Sequence, residues 1–522
     1  MNIKTALFFI LVISCSVAYS QGIENDIKKC LDTNQIKADI KFLASDELEG
    51  RDITERGQKV AALYLKTQFQ KLGLKPVEGS YYQNVKVLKI TPSKNPDLII
   101  SNGETFPAVF KEDYFPQSEG KAINEVNAEV VFAGYGITAP DYGYDDYKGI
   151  DVKGKIVLIL AQYPKDTKKS RFNSTKFSDY REPKYKVQNA IEHGAVGVLY
   201  MIEVIRPISL FVKSFGRFIN KSSFRLQDED TREAIPFANI SKSLADKILK
   251  KSNLTLDAVK DSIDLNFRDF SFAIPSTSVK MKFNIERGIR ETENVVGLLE
   301  GSDPNLKDEV VVVSGHYDHE GIDLNGEIFN GADDNASGTT GVLTIAKILT
   351  KMKPKRSILF MAFTGEEKGL FGSNYYSRNP LIPFEKTHAA VNIDMIGRID
   401  RKYEITDTTN FIYVIGPKIM GGDLPGFVEK AKKINNLHID YEYDTLDDPN
   451  IYFARSDHYA FAKEKVPTAF FFNGDHADYH KVTDKIDKIV FSAMFNRIEM
   501  ITYYTMLLAD HNLPVNVERA IP

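Results

Sequence analysis

The chain has 522 residues, 43% of them hydrophobic and 26% charged, with 67 basic against 71 acidic side chains and a formal net charge of −4. That length has room for two or more domains and a sizeable core, and the charge balance excludes the basic excess on which a nucleic-acid binder depends. Cys15 and Cys30 are the only cysteines, and a chain of this size does not need disulfides to fold.

At the N-terminus, Lys4 precedes the apolar run Ala6–Ile13, and Ala18-Tyr-Ser20 places small residues before Gln21. Residues 1–20 therefore read as an export signal and not as a membrane span. The same run admits a second processing pattern, Val12-Ile-Ser-Cys15, in which Cys15 would carry a lipid anchor. Cleavage after Ser20 leaves Cys30 without an intrachain partner, and no later stretch has the length needed to span a bilayer.

Gly57 to Leu72 carries Ala61, Tyr64, Leu65, Phe69 and Leu72 at helical spacing and stops at Gly73. After Tyr82 the pattern turns to strands and turns. Glu129–Gly136 and Ile156–Leu160 read as strands, Lys184–His193 as a helix and Val196–Tyr200 as a further strand. Arg206–Arg225 interleaves Phe211, Phe215, Phe218 and Phe224 with basic residues, a pattern read as a helical lid that snorkels its charges and not as a nucleic-acid or membrane contact. From Val279, the residues Val279, Met281, Phe283 and Ile285 alternate with polar ones, as in a strand with one wet face.

The chemistry-bearing residues follow apolar strands. Val310–Val313 is a short, wholly apolar run of the kind buried on both faces of a parallel sheet; it leads into Ser314-Gly-His-Tyr-Asp-His319, which offers His316, with Asp318 as an acceptor for its imidazole N–H. Asn330-Gly-Ala-Asp-Asp-Asn-Ala-Ser-Gly338 opens a helix over Ala336–Lys351. Polar residues of this kind are ordinary helix caps, but two adjacent aspartates exceed that need, so Asp334 is expected to bridge two cations and Asp333 to fix the loop. After Ile358–Phe363 come Glu366 and Glu367 on a turn, pointing in different directions, so that one can bind metal while the other acts as general base. Asp394 ends the run Ala389–Ile393, and His480 follows Thr468–Phe472, with Asp484 as its support. Histidines and carboxylates are the ligands zinc takes, and a pair of zincs needs two such sets with one carboxylate shared. The acidic stretch Tyr441–Asp448 is either solvated or receives a substrate's charged amine. A final helix is expected over about Lys488–Ala509.

Together these motifs, in this order, resemble the co-catalytic dinuclear zinc exopeptidases, the family of bacterial leucyl aminopeptidases, aminopeptidase Y, glutamate carboxypeptidase and the non-catalytic transferrin receptor. The resemblance implies that His316, Asp334 and Asp394 hold one zinc, that Asp334, Glu367 and His480 hold the other, and that Glu366 is the general base. Arg455-Ser-Asp-His458 matches a stretch near the active site of such proteins, which assigns Asp457 a supporting role. Where some relatives carry a tyrosine shortly before that stretch, this chain has Phe453, with Tyr452 as the candidate substitute.

The fold implied is α/β, a mixed, mostly parallel central sheet flanked by helices. A β-rich protease-associated domain is expected as an insertion at about 110–275, between peptidase segments 21–109 and 276–522, with a lid or steering role and no ligands. The expected activity is removal of N-terminal residues from peptides with two zinc ions per chain. Carboxypeptidase or dipeptidase action on the same scaffold is the alternative, and a receptor-like binding protein is the reading of another class.

Overall fold

The computed structural model describes residues 22–518, apart from 93–94, 118–120, 123–124, 165–179, 203–206, 220, 230–232, 267, 324 and 406–408. The export signal, the cut after Ser20 and the anchor at Cys15 lie outside the described residues. Among those described, no helix is long and apolar enough to cross a membrane. The described residues form two compact units, one up to Lys86 together with those from Arg290 onward, and one between Val87 and Ile289.

In the first unit, seven strands of the sheet are β1 (Glu286–Leu299), β2 (Val310–His316), β3 (Ser357–Phe363), β4 (Thr387–Ile393), β5 (Phe411–Ile415), β6 (His438–Asp440) and β7 (Thr468–Phe472), in the order β1-β3-β2-β4-β7-β5-β6. The four central strands, β3, β2, β4 and β7, are mutually parallel, while β1 and β5 join them antiparallel. Every residue of the central four is buried, which explains their unbroken apolar sequences. The pleat sorts β2 between two cores, with Val311 and Val313 facing one and Val310 and Val312 the other. Helices α1 (Thr33–Leu43), α2 (Arg56–Lys71), α3 (Gly338–Met352) and α4 (Phe491–Asp510) contribute to the first of these cores. Helix α2 buries Ala61, Leu65 and Phe69, the face that its 3.6-residue period presents.

The second unit is built on an eight-stranded sheet. Its strands Glu125–Ala133, Ile156–Leu160, Gly197–Met201 and Phe237–Ile240 run parallel, and Ser271–Lys282 pairs antiparallel with Glu125–Ala133 and with Asp97–Ser101. The alternating strand that begins at Val279 in the sequence reading is therefore part of this sheet. The two units part after Lys86 and Ile289, whereas positions near 110 and 275 were expected. The helix Pro183–Glu192 sends Lys186 into the interior, where its ammonium donates to the carbonyls of Tyr135, Leu160 and Gln162 at 2.5–2.9 Å. A helix spans Ile208–Ile219, within the aromatic and basic stretch; residues 206 and 220 and the side chains of 214–218 lie outside the described residues.

Candidate metal centre

Parallel strands end on one edge of a sheet, and ligands collect there in open α/β folds. His316 is the last residue of β2, Glu366 and Glu367 lie three and four residues past the end of β3, Asp394 follows β4, and His480 lies in the loop after β7. His316 Nε2 is 3.2 Å from Asp394 Oδ1, 3.4 Å from Asp334 Oδ1 and 3.9 Å from Glu366 Oε2. His480 Nε2 is 3.0 Å from Asp334 Oδ2 and 3.2 Å from Glu367 Oε2. Asp334 thus turns one oxygen to each histidine.

A single Nε2 proton cannot serve three carboxylates, so hydrogen bonding alone does not account for the crowding around His316. Atoms bound at 2.0–2.2 Å to a tetrahedral zinc stand roughly 3.3–3.6 Å apart, close to the separations seen. Asp334 Oδ2 is buried and forms no hydrogen bond of its own, as a donor reserved for a cation would be. Burial and the charge of Glu367 push the Asp334 carboxyl up, but His319, His316 and His480 bring it down to about 2. Burial, helped by Asp394, Glu367 and Asp457, holds the Glu366 carboxyl well above the usual range against the opposing pull of His316. Paired carboxylates pushed apart in this way are suited to different roles.

The loop carrying Asp334 is fixed from several sides. Asp484 accepts hydrogen bonds from the amides of Asp333 and Asp334 at 3.0–3.2 Å, so it holds the Asp334 loop; it was expected beside His480. Asp333 accepts from Ser337 and from the Gly397 amide and faces His476 Nε2 at 3.2 Å. Gly331 has φ +57°, and a Cβ there would lie 2.4 Å from the His319 ring, so this turn admits only glycine. Asp318 also differs from expectation. Its carboxylate is 3.9 Å from His316 Nδ1 and accepts instead from the Glu366 amide at 3.1 Å, while its backbone carbonyl meets Nδ1 at 3.2 Å. Asp457 is fully buried, and burial pushes its carboxyl up to about 7.

Three contributors were not singled out from sequence. His319 Nδ1 lies 2.7 Å from Glu367 Oε1 and 3.7 Å from Asp334 Oδ2; its signal was its place in the His316 motif. Ser456 donates to Asp394 Oδ2 at 2.8 Å and accepts from Asn392 at 2.9 Å, and it sat unremarked inside Arg455–His458. Arg51, fully buried, donates to the carbonyls of Tyr317, Asn330, Gly331 and Leu43, tying the end of β2 to the Asp334 loop. No local motif announces it, because three of its four partners are backbone atoms some 270 residues away.

The acidic stretch 441–448 is largely spent on structure. Asp444 accepts the amides of Gly416, Lys418 and Ile419 at 2.7–3.2 Å, and Asp448 those of Asn450 and Tyr452; neither is free to receive an amine. Tyr452 lines a small cleft together with Asp334, Glu366, Asp394 and His480. Phe453 is instead buried against His458 and Tyr459.

Residues 294–505 match the profile of peptidase family M28, and residues 126–248 that of the PA domain. The chain carries an M28 peptidase domain. A probable leucine aminopeptidase 2 of Aspergillus oryzae is 33% identical over 207 residues, 38% of this chain and 37% of that protein. The leucine aminopeptidase 2 of Arthroderma otae is 27% identical over 242 residues, 42% and 46% of the two chains. The chain thus spans less than half the length of these curated relatives. Among solved structures, the aminopeptidase from Aneurinibacillus sp. strain AM-1 superposes with a TM-score of 0.60 at 19% identity, covering 95% of this chain and 98% of that one. BSAP, a zinc aminopeptidase from Bacillus subtilis, gives 0.51 at 19% identity over 92% and 97%. At that identity the likeness establishes the fold, mixed α/β sheets flanked by helices.

Proposed function

We propose that the M28 chain is an exported, zinc-dependent aminopeptidase that removes residues from peptide N-termini. The observation that carries this reading is Asp334, whose two oxygens face His316 and His480 at 3.4 and 3.0 Å. His316, Asp334 and Asp394 would hold one zinc, and Asp334, Glu367 and His480 the other. When bound, the ions polarise the scissile carbonyl and make water a stronger nucleophile. Glu366 lines the same cavity and comes close to His316 and Asp394, but the two sets are complete without it; its carboxylate accepts a proton from the attacking water and returns it to the nitrogen of the leaving amine. Asp318 fixes Glu366 through its amide, and Ser456 orients Asp394. The segment 110–275 supplies none of these donors. Export rests on the apolar run Ala6–Ile13 and the small residues before Gln21.

Aminopeptidase polarity is supported by the aminopeptidase names of the relatives. The test is cleavage of a leucyl reporter before and after N-acetylation. Acetylation is expected to abolish cleavage. Cutting of N-blocked peptides at their C-terminus would establish carboxypeptidase action instead.

A further inference from the structure

The cavity at the donor cluster is lined by one carboxylate that neither the metal nor the proton transfer uses. Tyr452, Phe470 and Phe472 supply an aromatic wall, and Asp475, three residues past the end of β7, lines the same space. The Tyr452 hydroxyl donates to Asp475 Oδ2 at 2.7 Å, while Oδ1 is closed off from solvent and hydrogen-bonded to nothing in the protein. Among the described residues no cation forms an ion pair with it. Arg455 lines the same space and feels the charge of Asp475 without an ion pair to it; it is exposed and lies over the Tyr452 ring at 4.9 Å with its Nη2 3.3 Å from the Tyr479 hydroxyl. Asp400 is close enough that, after burial, the charge of Asp475 helps hold its carboxyl up, so a second carboxylate adds to the negative potential there.

An aromatic-walled space with an unpaired carboxylate fits a side chain that has an aliphatic stem and a cationic tip. The stem packs on the rings, the rings attract the cation, and the carboxylate gains a contact ion pair, which Arg455, acting on it only through the field, does not give it. We propose that Asp475 is a specificity-determining residue that selects lysine or arginine as the first residue of the substrate. This deepens the aminopeptidase reading and rests on it.

The test compares zinc-loaded wild type with Asp475→Asn, which keeps an acceptor for the Tyr452 hydroxyl. The kcat/KM for lysyl and arginyl anilides relative to the norleucyl anilide is expected to exceed ten in wild type and to fall at least tenfold in the variant, through KM more than kcat. Equal losses on all three substrates would place Asp475 on the substrate's α-amine and overturn the proposal. A wild-type preference for glutamyl anilide would do the same by assigning the pocket to Arg455. Calorimetric titration with lysinamide and norleucinamide separates this question from the aminopeptidase reading. Tighter binding of lysinamide, lost in Asp475→Asn, supports the pocket assignment even if no anilide is cleaved, and equal binding of the two amides refutes it.

Discussion

Arg51 offers the sharpest test of how the M28 fold holds its donors in place. Its guanidinium is buried without a carboxylate in direct contact, and burial lowers its pKa to about 10 against the pull of Asp318, Asp334, Asp484 and Glu367. It donates to four backbone carbonyls, those of Tyr317, Asn330, Gly331 and Leu43. Arg51→Met keeps much of the volume and removes every donor. Each orphaned buried carbonyl costs about 1–3 kcal/mol; relief from burying the guanidinium charge offsets part of the sum. A net loss of about 3–5 kcal/mol is expected, the size typical of a broken buried polar network, which corresponds to a fall in Tm on the order of 10 °C for a large domain. Because Asn330 and Gly331 lead into Asp334, zinc affinity should drop as well, by about 10–100-fold, as when partners that orient metal ligands are lost. Arg51→Lys, with a compact ammonium in place of the planar fork, cannot reach all four carbonyls and should fall between. Calorimetric melting and competitive chelator titration of the three proteins decide the matter. An Arg51→Met protein with unchanged Tm and unchanged zinc affinity would show that this clamp does not position the loop.

Glu366→Gln should retain zinc and stability while losing about 10²–10⁴-fold in turnover, because it removes a proton carrier and no ligand; Glu367→Gln should shed zinc. Metal analysis and kinetics on both variants check this, and loss of zinc from Glu366→Gln alone would reverse the two roles. Acid sensitivity should trace in part to His388. Burial, then Arg356 and His511, lowers its pKa from 6.5 to about 3, and Glu309, 3.8 Å away, is already committed to Arg356. Folded and unfolded chains both hold it neutral above pH 6.5. As the pH falls towards 3 only the unfolded chain takes the proton, so stability drops by about 1.4 kcal/mol per pH unit, roughly 2 kcal/mol by pH 5. His388→Asn should lose that share of the slope in urea unfolding between pH 7.5 and 5, and an unchanged slope would contradict the assignment.

The central strands and the residues at their ends were legible because burial on both faces leaves an unbroken apolar run, as in Val310–Val313 and Ile358–Phe363, and the chemistry sits within four residues of each run's end, at His316 and at Glu366 and Glu367. Helix α2 was legible to within a residue of Gly57–Leu72 from its period. Less of the support was legible. Alternation from Val279 reports a half-exposed strand but not which sheet it joins, so the parting of the units at Ile289 could not be read from it. Asp444 looked like a free acid in an acidic stretch, and only the folded chain brings it to the amides at Gly416. Arg51, Ser456 and His319 act on partners that are distant in sequence or hidden inside a motif, and a hydrogen bond to a remote backbone carbonyl leaves no pattern in the chain.

Two cations sharing Asp334 are the core of the proposed chemistry, and native mass spectrometry of the purified protein during stepwise zinc titration of the metal-free form, with turnover followed in parallel, tests that most directly. Two zinc ions per chain are predicted, with turnover absent from the metal-free protein and restored as the ions load, and Asp334→Asn should weaken both. Full turnover after verified removal of all metal, or an Asp334→Asn protein that still binds two ions with wild-type affinity, would contradict the account.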